Sequence, residues 1–418
     1  MELALFGSIP VVSNNPEFNS IGVEEVEAVT QFMRGVVSGS ESLSGFLGRA
    51  GDRFLGGKNV RNLEKRFERY FGSRHAVSFN SATTALQAAV TALEISAGDE
   101  VITTPFTMPA TATAIYLAGA TPVFADIDPD TYCIDPEDVE SKITQRTKAI
   151  LAVNLFGGSA DYEKLCSIAS HKDLWLIEDN AQAPGGRFAG NFTGTIGDVG
   201  VFSFNVHKTM QCGEGGMLVT DDDSIAEKAA LIRNHGEAVI DDLFETNSFA
   251  NDGIAGSNFR LSEIHAVIAI EQLLKLKEMN SIRVSLAENL SKELAHFDWI
   301  ESPHVPPNVN HVFYRYPFKI RRGVNGVSSE TITKALRAEG FRVAKGYQKP
   351  LYKIPLFKGR FSQGSCPVAE RMYEKELLIT DVVCQSKKGQ FRFISQFIEA
   401  LEKIEQNLDA LKEYDRRE

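Results

Sequence analysis

The sequence predicts an α/β protein: a mostly parallel sheet in a large domain, followed by a smaller α+β domain. The first observation behind this is a succession of short apolar runs from about Asn59 to Leu276: HAVSF, EVITT, PVFADI, KAILAVN, LWLIED, VGVFSF and GMLVT, several of them separated by helical patterns. Strands that are apolar throughout and alternate with helices are what a parallel sheet covered on both faces requires. The second is a helical stretch from Leu261 to about Ala295 that leads into a different pattern, with strand and helix signals spaced more widely. The third is length, since 418 residues allow two or so domains at roughly 100–200 residues each.

Taken in order, residues 1–58 read as an N-terminal arm and helix. The stretch Val36 to Gly57 is rich in glycine and serine; it is either an arm that orders against substrate or a partner subunit, or a surface loop. Residues 59–276 hold the alternating strands and helices of the large domain, and 277–418 the small one. There HVFYRYPFKI (311–320) reads as a strand, SSETITKALRAEG (328–340) as a capped helix ending at glycine, and FISQFIEALEKIEQNLDALKEY as a terminal amphipathic helix. No internal repeat or long low-complexity segment interrupts this order.

Three stretches carry chemistry. SFNVHKTMQCGEGG (203–216) sets Lys208 in a polar turn where a strand has just ended, which is where open α/β sheets place ligands. LWLIEDNAQAPGG (174–186) ends a buried strand on Glu178 and Asp179, whose side chains must point to opposite faces of an extended chain. HAVSFNSATTALQAAVTAL (75–93) runs from a strand through a small polar turn into a helix opened by Ala82, Thr83 and Thr84. Backbone N–H groups at such a start suit a phosphate, and Ser203 can add a hydroxyl. Together they meet the demands of an aldehyde cofactor, pyridoxal phosphate: an amine for a Schiff base, a carboxylate for the ring nitrogen, and a phosphate cradle. Singly, the lysine reads as a solvated surface group, the aspartate as a helix cap or turn acid, and the glycines as a tight turn. Their occurrence in one chain, in a usable order, is what points to the cofactor.

These motifs resemble those of the DegT/DnrJ/EryC1/StrS sugar aminotransferases, within the aspartate aminotransferase fold type (pyridoxal phosphate-dependent transferase fold type I). FNSATTAL looks like the family's phosphate turn, EDNAQAPGG like its acidic motif, SFNVHK with GEGG like its lysine motif, and GSNFRLSEIHAVI (256–268) like its NFRL segment; the resemblance runs from about Gly56 to about Asp381. It implies that Lys208 binds the cofactor covalently and shuttles the proton, that Asp179 pairs with the pyridinium nitrogen, and that Gln182 contacts the ring or its phenolic oxygen. It implies that Ala82, Thr83 and Ser203 hold the phosphate on one subunit while Asn258 reaches the cofactor of its neighbour, so that a C2 homodimer with shared active sites is expected. Two positions depart from the pattern: PFTMPATA puts Met108 where an aromatic residue usually stacks on the ring, and Ala82 stands for a glycine. The related sugar dehydratases carry histidine at the lysine position; counted back from Gly213, Lys208 falls there and His207 one before it.

The reaction that the resemblance implies passes an amine from glutamate or glutamine to a keto-sugar, nucleotide-linked by family habit. A cyclitol or aminobenzoate-type member without a nucleotide, or a non-catalytic cofactor-binding regulator, stands as the alternative. Between Gly340 and Ala369 there is no acid, but Arg342, Lys345, Lys349, Lys353, Lys358 and Arg360 interleave with Tyr347, Tyr352, Phe357 and Phe361. Such a loop could receive a diphosphate and stack a base, or simply pair with acids elsewhere. Lys349 and Tyr347 are its candidate substrate contacts, and the resemblance adds His235 in RNHGEA and His311 before VFYRYPF, where the family often has polar groups. Arg260 could meet the donor's carboxylate or hold the loop carrying Asn258.

A formal charge of −11 argues against general binding to nucleic acid or anionic membrane. The 43% apolar and 24% charged residues are ordinary for a globular enzyme. Five scattered cysteines, at 133, 166, 212, 366 and 384, form no metal-binding or disulfide pattern. The start MELALFGSIPVV lacks the basic region and long apolar core of a signal peptide, so a cytoplasmic location and no metal are expected.

Overall fold

The computed structural model of the chain describes residues 2–13, 19–43, 56–236, 254–321, 324, 326–359, 366–382 and 387–417. Arg360, Phe361, Cys384 and most of the glycine- and serine-rich arm lie outside these. The first part of the chain supplies β1 (His75–Phe79), β2 (Glu100–Thr103), β3 (Thr121–Phe124), β4 (Thr147–Val153), β5 (Trp175–Asp179), β6 (Arg187–Phe188), β7 (Asn191–Phe192), β8 (Val199–Ser203) and β9 (Gly216–Thr220). Seven of them form one sheet in the order β1-β9-β8-β5-β4-β2-β3. β9 is antiparallel to both β1 and β8, and every other pair is parallel. Six strands therefore run the same way, and their carboxyl ends share one edge.

Both faces of this sheet are buried, as the unbroken apolar runs require. Val77, Phe79, Val101, Val201 and Leu218 join helices Ala82–Ala92, Pro109–Leu117, Tyr162–Lys172 and Asp223–Arg233 in one core. The alternate residues Ala76, Phe202, Met217 and Val219 point the other way, into a core shared with helices Lys58–Phe71 and Glu263–Leu294. Period-two alternation thus feeds two different cores from the same strands.

Helix Glu263–Leu294 runs unbroken across the position 276/277. Its Ala266, Ala269, Ile270, Leu273 and Leu276 belong to the core behind the large sheet. Its Leu286, Ala287, Leu290 and Leu294 belong to a third core, with helices Ser329–Ala338 and Lys387–Gln406. That core lies on an antiparallel sheet made from β10 (Ile300–Glu301), then, after β11 (Val309–Asn310), β12 (Tyr316–Ile320), β13 (Val343–Lys345) and β14 (Leu377–Thr380), in the order β10-β12-β14-β13. β11 pairs instead with β6, stitching the two parts together. The N-terminus docks here too: Glu339 accepts from the amides of Ala4 at 2.8 Å and Val11 at 3.0 Å and pairs with Lys403 at 2.8 Å, with 0% and 5% of the two side chains exposed.

Two sequence expectations are corrected. The strand expected over 311–320 begins only at Tyr316, because Val312 and Arg315 donate their amides to the carbonyls of Gly157 and Phe156, and Phe313 takes a positive φ of 46°. The expected single terminal helix ends at Gln406 and restarts at Leu408, with the Asn407 side chain capping the Lys403 carbonyl at 2.7 Å.

Candidate active site

The carboxyl edge of the large sheet gathers the chemistry. Past the end of β8, Lys208 sits in a turn closed by its own amide on the Asn205 carbonyl (2.8 Å) and by Val206 N–H on Gly213 O (2.8 Å). Gly213 has φ 90°, a left-handed value that glycine tolerates freely. The turn exposes His207 and half-buries Lys208, so the lysine and not the histidine faces the interior. Its Nζ lies 4.8 Å from the centre of the Tyr314 ring, in cation–π range. Cys212 is buried, with its thiol pushed up to about 12 by desolvation, and it packs without reactive character.

At the end of β5 the two acids separate as an extended chain demands. Glu178 accepts the amides of Gly194 (2.6 Å), Ile196 (2.5 Å) and Gly197 (2.7 Å), a structural role. Asp179 points the other way, and only hydroxyl and amide donors reach it: Thr111 Oγ1 at 2.8 Å and the Ala181 amide at 3.2 Å. Burial pushes its carboxyl above the usual range, opposed by Thr111, by Ala181 and by the charge of Lys208. Among the described residues it has no ion-pair partner in contact.

The third component is the start of helix Ala82–Ala92. Ser81 caps it by accepting the Thr84 amide at 3.2 Å, which leaves the Ala82 and Thr83 amides without an intrahelical acceptor. Gly216 at the start of β9 packs so tightly against this turn that a Cβ there would stand 2.5 Å from the Ala82 nitrogen. Ser203, buried, faces Gly216 across the β8–β9 pair.

Gln182 is buried and held from both ends: its Oε1 accepts the Phe156 amide at 2.9 Å and its Nε2 donates to the Tyr347 hydroxyl at 3.0 Å. Tyr347 stands edge-on to Phe106 and Phe156, and burial raises its phenol. The structure thus places Tyr347 at the acidic motif. Met108 caps helix Pro109–Leu117 at the surface, its sulfur 3.4 Å from Gln348 Nε2.

The other expected contacts are more scattered. Asn258 is exposed, its carbonyl accepting from Asn80 Nδ2 at 3.3 Å, next to the turn that opens helix Ala82–Ala92 of its own chain. Arg260 donates to Asn234 at 2.5 Å, holding that loop. His235 is exposed at φ 63°. His311 lies against Phe313 with ring centroids 4.0 Å apart, accepts the Phe313 amide on Nδ1, and is driven down to about 3 by desolvation.

The basic, aromatic loop divides between its two readings. Tyr352 and Phe357 are buried in the main core and cannot stack a base, while Lys345 pairs with Glu330 and Lys353 with Glu370 and Glu374. Lys349, two residues after Tyr347, is exposed. Sequence reasoning missed Thr111, which lies in the quoted PFTMPATA segment without any charge to mark it, and Tyr314, hidden in a run read as strand.

This fold and site define a pyridoxal phosphate-dependent enzyme. The residues fit the cofactor: a buried carboxylate with no cation of its own suits the ring nitrogen, and a helix start with two open amides and a glycine packed against it suits the phosphate. The chain belongs to the DegT/DnrJ/EryC1/StrS aminotransferase family, whose model matches residues 49–385. It is 36% identical over 325 residues to the UDP-N-acetyl-3-dehydro-alpha-D-glucosamine 3-aminotransferase of Acidithiobacillus ferrooxidans, covering 78% of this chain and 84% of that one. It is 35% identical over 343 residues to the L-glutamine:2-deoxy-scyllo-inosose aminotransferase of Streptomyces kanamyceticus, covering 78% of each. The structure of DesV from S. venezuelae, solved with a ketimine intermediate, superposes with a TM-score of 0.77 at 30% identity, covering 90% of this chain and 94% of that one. The chain is accordingly a sugar transaminase. No described helix is long and apolar enough to cross a membrane.

Proposed function

We propose that the chain moves the amine of glutamate or glutamine onto a keto-sugar carried on a nucleotide, as a cytoplasmic homodimer with shared active sites. The observation that carries this reading is that Asp179 ends β5 and Lys208 follows β8, adjacent parallel strands whose carboxyl ends share one edge, with the lysine's charge reaching the Asp179 carboxyl. When bound there, pyridoxal phosphate supplies an aldehyde to take up the donor's amine and a ring to accept the electrons left when the donor's α-proton departs. Lys208 Nζ takes that proton and returns it, as general base and then general acid. The Tyr314 ring, 4.8 Å from Nζ, packs against that amine and helps hold it in place.

Asp179 keeps the ring nitrogen protonated. Ala82, Thr83 and Ser203 hold the phosphate, Asn258 serves the partner's phosphate, and Gln182 and Met108 border the ring. Tyr347, Lys349, His235 and His311 line the acceptor's approach. His311 does so as a neutral group, since it binds no second proton above about pH 3.

Support for the nucleotide comes from the exposed Lys349, two residues after Tyr347, and from the relative named for a UDP-sugar. The relative named for a cyclitol ketone favours a second reading, with no nucleotide on the acceptor. Incubating the enzyme with labelled glutamate and, separately, nucleotide-linked keto-sugars and a free ring ketone decides between them: label entering only the free ketone would reverse the choice. Lys208→Ala should abolish the change in cofactor absorption that glutamate causes; a variant that still converts would end the assignment of Lys208.

A further inference from the structure

We propose that Thr111 is a positioning residue whose hydroxyl, backed by Thr107, orients the Asp179 carboxylate for the cofactor ring. Thr111 stands in the first turn of helix Pro109–Leu117 and is fully buried, as is Thr107 in the segment just before it. Thr111 Oγ1 lies 2.8 Å from Asp179 Oδ2 and 3.2 Å from Thr107 Oγ1. An ionised carboxylate only accepts, so Thr111 spends its one proton on Asp179 and must itself accept from Thr107. The direction of the chain is thereby set: Thr107 to Thr111 to Asp179.

The Ala181 amide reaches the other oxygen, Oδ1, at 3.2 Å. With one donor on each oxygen the carboxylate plane is held, and a lone pair remains on each oxygen for a further donor. The charged or titratable groups in the field of Asp179 are Lys208, which favours the carboxylate, and Tyr347. Glu178 faces the opposite side of β5, satisfied by its three amides. Thr111 is thus the one side chain among the described residues that donates a hydrogen bond to Asp179. A threonine placed there only for packing would be replaceable by valine, its near-isostere, at no cost to ring binding.

This inference rests on the reading of Asp179 as partner of the ring nitrogen, and the test separates the two. The probe is 4′-deoxypyridoxine 5′-phosphate, which has no aldehyde and so binds without Lys208. Its dissociation constant is measured by fluorescence titration from pH 5 to 9 in the full-length apoprotein. Thr111→Val should weaken it about tenfold or more, the scale of one lost hydrogen bond to a charged group, and should move the acid limb of binding to higher pH. Thr111→Ser should bind within about twofold to threefold of wild type, and Thr107→Val should fall between, because it removes only the backing donor. The last two variants keep the test open should the valine protein fail to fold. Val binding as tightly as wild type across the pH range, or Ser binding as weakly as Val, overturns the inference. A wild-type protein that does not take up the probe overturns the cofactor reading, and this inference with it.

Discussion

Between Glu178 and Asp179 the side chain crosses from one face of β5 to the other, and the two carboxylates end in different company. Glu178 accepts the amides of Gly194, Ile196 and Gly197, so Glu178→Gln turns an N–H group toward N–H donors and removes the charge they stabilise. It should cost about 2–3 kcal/mol of stability, by the usual worth of hydrogen bonds to a charged group, read from urea unfolding. Asp179→Asn should leave that stability nearly unchanged and instead lose the cofactor on dialysis. Equal destabilisation of both would remove the distinction drawn between them. His311 allows a pH test at the same scale. Folded, it stays neutral down to about pH 3, while an unfolded imidazole takes up its proton near ~6.5. Between those values the unfolded chain binds more protons, so the stability His311 permits is full above ~6.5 and is lost as pH falls. Wild type should therefore lose about 2 kcal/mol more than His311→Gln between pH 7 and pH 5, at about 1.4 kcal/mol per pH unit below 6.5; identical losses would show that the ring is open to protonation in the folded protein.

The long helix Glu263–Leu294 does more for the site than join two cores. At its middle, Asn280 donates to the Pro184 carbonyl at 2.8 Å, and Arg283 donates to the Phe313 and Tyr314 carbonyls at 3.5 and 3.2 Å. One helical turn therefore fixes both the loop after Asp179 and Gln182 and the segment whose Tyr314 ring lies under Lys208. Arg283 is buried, and desolvation lowers its guanidinium to about 10, yet it stays charged at neutral pH. Arg283→Met leaves those carbonyls short of a donor, and kcat should fall about tenfold or more while cofactor affinity changes little, because the proposed phosphate and ring contacts lie on other elements. A loss confined to cofactor affinity would contradict this. None of it was legible in the sequence, where Asn280 and Arg283 read as ordinary polar residues of a helix. What was legible were elements whose signal is local: the apolar strands, the helix start at Ala82, the capped helix over 328–340, and the lysine turn followed by glycines. The segment 311–315 misled because its aromatic residues carry a strand's composition, while its conformation is set by carbonyls of Phe156 and Gly157, about 155 residues away in the chain.

At the scale of the whole molecule the large sheet could be read because its strands are buried on both faces and so carry unmistakable apolar runs. The antiparallel insertion of β9 and the β6–β11 stitch could not, since pairing partners leave no mark on a single strand. The same limit applies to assembly. Asn258 sits beside Asn80 of its own chain with its side chain exposed, and the proposed dimer turns that exposed amide into a contact for the partner's cofactor. Shared sites have a consequence that separate sites lack. In a mixture of Lys208→Ala and Asn258→Ala proteins, each inactive or nearly so alone, a mixed dimer has one site with both defects and one with neither. Random exchange of equal amounts puts half of all dimers in that state, so activity should recover to about a quarter of the wild-type value if the C2 arrangement holds. Subunits are unfolded and refolded together to force exchange, and sedimentation confirms that the product is dimeric. Recovery no greater than the sum of the two parents would assign Asn258 to its own chain's site, and the loop that Arg260 and Asn80 hold would then serve the phosphate from within.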